Sequence, residues 1–245
     1  MRGFILAMQF LTRLPTPQLR DLDPAELPRS AQWFPLVGMI IGALLAGALW
    51  LGSRVDPWLG ALLALLVWVW VTGALHLDGL ADLSDAMGAA HRDRARFLAV
   101  LADPHLGTFG VLSLVLQLIA KLVLLMLLAR NPQHWQQYWA LLLIPAWARW
   151  GTLLWARLPS LKPGLGKRFG GEVSGGALWL WGAVLALCSA IAPVLLIAPI
   201  LVWLWQQFLL RRLGGMTGDT LGAGVEMVES MALLILIMWP VMSKL

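Results

Sequence analysis

Apolar runs long enough to cross a bilayer recur along the whole chain, and they restrict the fold more than any other feature of the sequence. Crossing a hydrocarbon core of about 30 Å takes roughly 20 helical residues. Because no water is available there, each spanning segment must satisfy its own backbone N–H and C=O groups. Runs of this length fall at 34–52, 58–77, 108–129, 138–156, 175–192, 193–210 and 221–241, about twice as long as the roughly ten-residue strands of a membrane barrel. The expected fold is therefore all-α: a polytopic integral membrane bundle of about seven transmembrane helices, six to seven in all, forming one domain over 1–245. The fifth and sixth runs are short and meet at Ala192 and Pro193, so a broken or re-entrant hairpin is expected there. A content of 60% hydrophobic and 13% charged residues, with 15 Trp, excludes an ordinary soluble domain.

The start, MRGFILAMQFLTRLPTP, pairs a charge with a short apolar run. It lacks a small-x-small cleavage site and is interrupted by Arg13, so it reads as a retained interfacial helix. Small residues at Gly38, Gly42 and Ala46 would let helices approach closely. Cys188 has no second cysteine to pair with and carries no information on compartment.

Basic residues in short loops stay on the cytoplasmic side of a membrane. With seven spans, Arg2, Arg13, Arg20, Arg29, Arg92, Arg94, Arg96, Arg157, Lys162, Lys167, Arg168, Arg211 and Arg212 share one side, against Arg54, Arg130 and Lys244 on the other. The N-terminus and the active site are thus expected to face the cytoplasm, with the C-terminus outside. Acids play little part in that rule, yet all but Asp56 fall on the same face. A face carrying both signs suits metal and phosphate chemistry. The net charge of +5 follows from loop asymmetry, and no nucleic-acid partner is inferred from it.

The second run ends in HLDGLADLSD, which places His76, Asp78, Asp82 and Asp85 within ten residues. The carboxylates are spaced i, i+4, i+7, one face of a helix if the span continues, and like charges so stacked need a neutralising partner. Convergent carboxylates suit a hard divalent cation, above all Mg²⁺, which a few carboxylates hold together with substrate phosphates. A solvated loop with acids in phase by chance is the bland alternative. Three stretches join this one: ADPHLGTFG (102–110) with Asp103, His105 and Thr108; GGMTGDTLGAGVEMVES (214–230) with Thr217, Asp219, Glu226 and Glu229; and the basic LKPGLGKRFGG (161–171). Segments 78–107 and 157–174 read as long loops able to cradle a bulky substrate. Lys121 and Arg149 lie in mid-span, where a charge costs about 2.5–3.5 kcal/mol, so each needs a partner; for Lys121 it is either a substrate phosphate or a carboxylate.

Taken together, HLDGLADLSDA, DPHLGTFG, GGMTGDTLGAGVEMVE, FLTRLPTP and WFPLVGMIIG resemble the cobalamin 5′-phosphate synthase (adenosylcobinamide-GDP ribazoletransferase) family, in order from about 4 to 229. Leu83, Ser84, Ala86, Pro104 and His105 depart from the residues more usual there. The resemblance implies a Mg²⁺-dependent membrane transferase, in the cell (inner) membrane, that joins α-ribazole or its 5′-phosphate to adenosylcobinamide-GDP and releases GMP. On that reading Asp78, Asp82, Asp85 and Asp219 would hold one or two Mg²⁺, and Glu226 or Asp103 would act as general base. Arg13, Lys121, Arg149, Lys162, Lys167 and Arg168 would grip phosphates, Thr108 and Thr217 would hydrogen-bond them, and His76 and His105 would bind phosphate or relay protons. A homo-oligomer is compatible with the sequence. The rivals are a lipid-forming CDP-alcohol phosphotransferase, whose D-x-x-D-G-x-x-A-R pattern is not matched, and an ion-coupled transporter, which would place its charges near mid-membrane.

Overall fold

The computed structural model describes residues 1–19, 26–90, 93–130, 135–162 and 174–242. Its helices are α1 (Arg2–Leu11), α2 (Glu26–Ser30), α3 (Phe34–Ser53), α4 (Pro57–Thr72), α5 (Leu75–Ala90), α6 (Arg94–Val100), α7 (Thr108–Ala129), α8 (Trp135–Trp155), α9 (Gly175–Cys188), α10 (Ala198–Phe208) and α11 (Gly218–Met242). Among the described residues there is no strand, and the nearest thing to one is an isolated bridge between Ser160 and Met216. The all-α expectation holds.

Of the seven expected spans, four stand out by length and apolarity among the described residues. Glu26–Ser53, Thr108–Ala129, Pro193–Leu213 and Gly218–Trp239 are long and apolar enough to cross a membrane, and α4 with α5 adds a fifth only if a pair bent by 85° is one span. α8 has the length but carries Gln136, Gln137 and Arg149, and most of its second half is buried. The 175–192 run yields only a short apolar helix, Gly175–Ile191. Ala192, with φ −131° and ψ 75°, breaks the chain between two 3-10 turns, which is the interruption expected at that point. The long loop expected at 78–107 is mostly α5 and α6.

The core lies between α3, α4, α7 and α8, with Val37, Ile41, Leu45, Leu49, Leu141 and Ile144 buried. Small residues set these contacts. A Cβ on Gly42 would strike the Leu142 carbonyl, one on Gly38 the Pro145 carbonyl, and one on Gly52 would come within 2.6 Å of the Gly60 Cα. Gly47, on the same helix, has open space around it. Gly42→Val should therefore destabilise the protein by about 3 kcal/mol or more through overpacking, and Gly47→Val should leave it nearly unchanged. Thermal unfolding of the two variants in the same detergent checks this; equal losses would contradict it.

α1 buries Leu6, Ala7, Met8 and Leu11 against the bundle, and the chain after it reaches the break between α4 and α5. There the Arg13 N–H donates to the Val71 carbonyl at 2.7 Å. Gly73 and Ala74 both have φ of 60°, a left-handed pair that turns the chain through 85°. Glycine adopts that conformation freely, whereas alanine does so at a cost of about 1–2 kcal/mol. The Arg13 side chain lies in the space a Gly73 Cβ would occupy, so the FLTR segment and this turn form one unit.

Candidate active site

The turn at Gly73 and Ala74 swings α5 through 85° from α4, and among the described residues α5 by itself is not one of the helices long and apolar enough to cross a membrane. α5 and the start of α11 then cross at near contact. A Cβ on Gly79 would lie 2.6 Å from the Asp219 carbonyl oxygen, and one on Gly222 3.3 Å from the His76 Cα. Asp78 and Asp82 flank Gly79, and Asp219 opens α11, so two glycines bring three carboxylates from distant parts of the chain together. The consequence shows at Asp82, whose carboxyl is pushed up from 3.8 to about 6, first by burial and then by the charges of Asp78 and Asp219, with Lys162 opposing. Among the described residues no three His, Cys, Asp or Glu side chains already close tightly enough to hold a metal ion. The donor chemistry nonetheless fits a hard divalent cation that takes its remaining oxygens from substrate phosphates.

Asp85 departs from the expected metal set. Its two oxygens accept the N–H groups of Gly107 at 2.7 Å and Gly110 at 2.8 Å, capping α7 from another helix. The first N–H groups of a helix have no partner within it, and a buried carboxylate supplies one here. A Cβ at Gly107 or Gly110 would collide with that carboxylate.

Thr217 departs as well, for a similar reason. It is 1% exposed and belongs to a reciprocal cap in which its N–H donates to Thr220 Oγ1 at 2.8 Å and the Thr220 N–H donates to Thr217 Oγ1 at 3.2 Å. The polar groups expected to meet a phosphate are satisfied inside the turn, and Thr217 Oγ1 also donates to Asp219 Oδ2 at 3.3 Å. Trp205 supports the turn from behind: its N–H donates to the Thr220 carbonyl at 3.1 Å, and its ring fills the notch left by Gly224.

Lys162, expected to grip a phosphate, lies beside the carboxylates. Its Nζ lies 2.7 Å from Asp219 Oδ2 and donates to the Leu101 carbonyl at 3.0 Å. Asp103 and His105 follow Leu101 in an exposed turn whose far end, Gly107, is tied to Asp85, so both ends of the turn are anchored at the site. His105 Nδ1 lies 2.6 Å from Asp103 Oδ1, which also accepts the His105 N–H at 3.0 Å; these bonds lower the Asp103 pKa. Thr108 is exposed at the start of α7, and Arg13 is exposed beside the turn at Gly73. Lys167 and Arg168 lie outside the described residues.

Lys121, Arg149, His76 and Glu226 are held elsewhere. Glu226 and Glu229 stand seven and ten residues beyond Asp219, roughly 10 and 15 Å of helical rise into the bundle, rather than at its rim. Lys121 Nζ pairs with Glu226 at 2.8 Å and Glu229 at 2.7 Å, and Arg149 Nη1 pairs with Glu229 at 2.5 Å. His76 Nδ1 is 3.4 Å from Arg149 Nη2, Gln117 donates to Glu226 and Ser230 at 2.8 Å each, and Lys121 sits 3.9 Å over the Trp68 ring. Lys121 thus has the carboxylate partner that the sequence left as one of two options. Glu226, expected as general base, is tied to a lysine and an amide deep in the helices. Charges in mid-bundle are what the transporter reading required, but here they neutralise one another. The sequence showed that Lys121 and Arg149 needed partners; it did not point to Gln117, Ser230 or Trp68.

The fold and the site define a polytopic helical membrane protein with a carboxylate centre where two helices cross at one end of the bundle. Residues 3–237 match the profile of the family described as cobalamin-5-phosphate synthase, and the chain belongs to that family. It is 56% identical over 236 residues to an adenosylcobinamide-GDP ribazoletransferase of Thiobacillus denitrificans, covering 96% of this chain and 94% of the relative. The protein of that name from Laribacter hongkongensis is 57% identical over 237 residues, covering 96% of each chain, and one from Novosphingobium aromaticivorans is 54% identical over 238 residues, covering 96% and 95%. No solved structure matches the chain.

Proposed function

We propose that the chain carries out the reaction its relatives are named for. It joins α-ribazole, free or as the 5′-phosphate, to adenosylcobinamide-GDP, releases GMP, and so assembles the nucleotide loop of cobalamin. The meeting of Asp78, Asp82 and Asp219 at the crossing of α5 and α11 carries the reading of the site. Two anionic reactants must be brought together, a ribose hydroxyl must lose its proton, and the charge on the leaving GMP must be neutralised. Asp78, Asp82 and Asp219 would hold Mg²⁺, which when bound supplies neutralisation of pyrophosphate charge. Arg13 at the α4–α5 turn and Lys162 beside Asp219 would meet phosphate oxygens.

The hydroxyl oxygen bonds to the phosphorus that bears the corrinoid, and the bond from that phosphorus to the GMP oxygen breaks. His105 is the proton acceptor on this reading, with Asp103 on Nδ1 orienting the ring. Asp103 alone is a poor base near neutral pH because its own pKa is lowered. The exposed Arg94, Arg96, Arg211 and Arg212, with Arg94 close to Gly214 at the approach to α11, support a cytoplasmic orientation for this end of the protein.

The test uses the full chain in detergent with adenosylcobinamide-GDP and α-ribazole. GMP should appear in step with the new corrinoid, stop when EDTA is added and resume with excess Mg²⁺. GMP release that ignores EDTA would remove the metal from the reaction, and no release under any condition would remove the reaction itself.

A further inference from the structure

Lys162 is held at the carboxylate cluster by its side chain and its backbone alike. Its ammonium bonds to Asp219 and to the Leu101 carbonyl, at 2.7 and 3.0 Å, and the side chains of the ion pair are only 29% and 23% exposed. The Lys162 carbonyl accepts the Ser160 hydroxyl at 2.8 Å. The strand-like segment before it is clamped to the turn that carries Asp219: the Met216 N–H donates to the Pro159 carbonyl at 2.8 Å, and the Leu161 N–H to the Met216 carbonyl at 2.9 Å. Lys162 and Asp219 therefore share one backbone frame. Separating them takes rotation of a flexible four-carbon stem rather than loop movement. Three carboxylates with one ammonium leave two negative charges, and Lys162 is the cation that acts on Asp82 against Asp78, Asp219 and Asp85.

We infer that Lys162 is a tethered counter-cation of the carboxylate cluster, one that an incoming divalent cation displaces from Asp219 by side-chain rotation. This rests on the metal reading given above. In the resting protein the ammonium limits repulsion among the acids and weakens divalent-cation binding until substrate phosphates arrive. The freed ammonium, fixed at its root by the clamp at Met216, then stays within reach of those phosphates.

Titration of the purified full chain with Mn²⁺ alone, with free Mn²⁺ followed by its EPR signal, tests this without any substrate. Lys162→Met should bind Mn²⁺ about tenfold more tightly than the unaltered chain, the scale of one partly buried ion pair. Lys162→Arg, which keeps the charge, should not bind more tightly. Asp82→Asn should abolish the binding in either background. Equal or weaker affinity in Lys162→Met, with Asp82-dependent binding intact in the unaltered chain, would overturn this inference alone. Absence of Asp82-dependent binding in every chain would overturn the metal reading and this inference with it.

Discussion

Asp82→Asn is expected to lower kcat on the order of a thousandfold while leaving the protein folded in the membrane. Asp82 sits one helical turn from Asp78 and feels the charges of both Asp78 and Asp219. The substitution keeps the side chain's shape and removes that charge, and loss of one preorganised electrostatic contact of this kind costs about 10²–10³ in rate or more. The effect on stability has the opposite sign. The Asp82 carboxyl is raised from 3.8 to about 6 in the folded protein, so the folded chain binds its proton more tightly than the unfolded chain does. In EDTA this group's contribution to stability should be greatest at low pH, decline as pH rises from 3.8 through about 6, and stay low above that. Asp82→Asn removes the decline, so at pH 7 in EDTA its Tm should equal or exceed that of the unaltered chain. Added Mg²⁺ should raise the Tm of the unaltered chain but not that of the variant. Turnover near the original rate, or a Mg²⁺-dependent rise in the variant's Tm, would take Asp82 out of the metal site.

Glu229→Gln should be the most destabilising of the conservative substitutions, at about 3–5 kcal/mol, or on the order of 10 °C in Tm for a chain of this size. Glu229 is 0% exposed and lies between Arg149 and Lys121. Removing its charge leaves two buried cations against Glu226 alone, in a region where water cannot offset the loss. Glu226→Gln should cost less, because Lys121 keeps Glu229 and Gln117 keeps the Glu226 carbonyl and Ser230 as acceptors. Adding Lys121→Met to Glu229→Gln should restore part of the loss, as expected for residues in direct contact. Tryptophan fluorescence during heating in detergent would follow all four chains. Equal stability of Glu229→Gln and the parent would mean that the network is not holding α7, α8 and α11 together. These substitutions also separate two roles for Lys121: a phosphate ligand would change KM at constant Tm, whereas the observed pairing predicts the reverse.

The acid-rich stretches and their shared end of the bundle were legible because both are local features of sequence. Their division of labour was not. Asp78, Asp82 and Asp85 look equivalent at i, i+4, i+7, yet Asp85 turns to the bare N–H groups of α7 and the other two remain with Asp219. That choice depends on where residues 107 and 110 arrive in space. Thr217 reads as a phosphate ligand in GGMTGD, but its hydroxyl is captured by Thr220 because a helix starts there. Glu226 shares a seven-residue spacing with Asp219, and the rise of a straight helix carries it into the bundle, away from the rim.

Hydropathy and the need to satisfy every backbone hydrogen bond within a segment are properties of neighbouring residues, so the sequence by itself determined a helical membrane protein with charges in mid-span that required partners. Motif order along the chain likewise determined the family. Only the tertiary structure decided which carboxylates meet, that Lys121 and Arg149 turn to Glu226 and Glu229, and that α5 turns 85° away from α4 instead of continuing it straight. Those outcomes rest on contacts between residues far apart in the chain, such as Gly79 against Asp219 and Arg13 against Gly73. A close approach of that kind depends on the packing of the whole bundle and leaves no periodic trace in either segment.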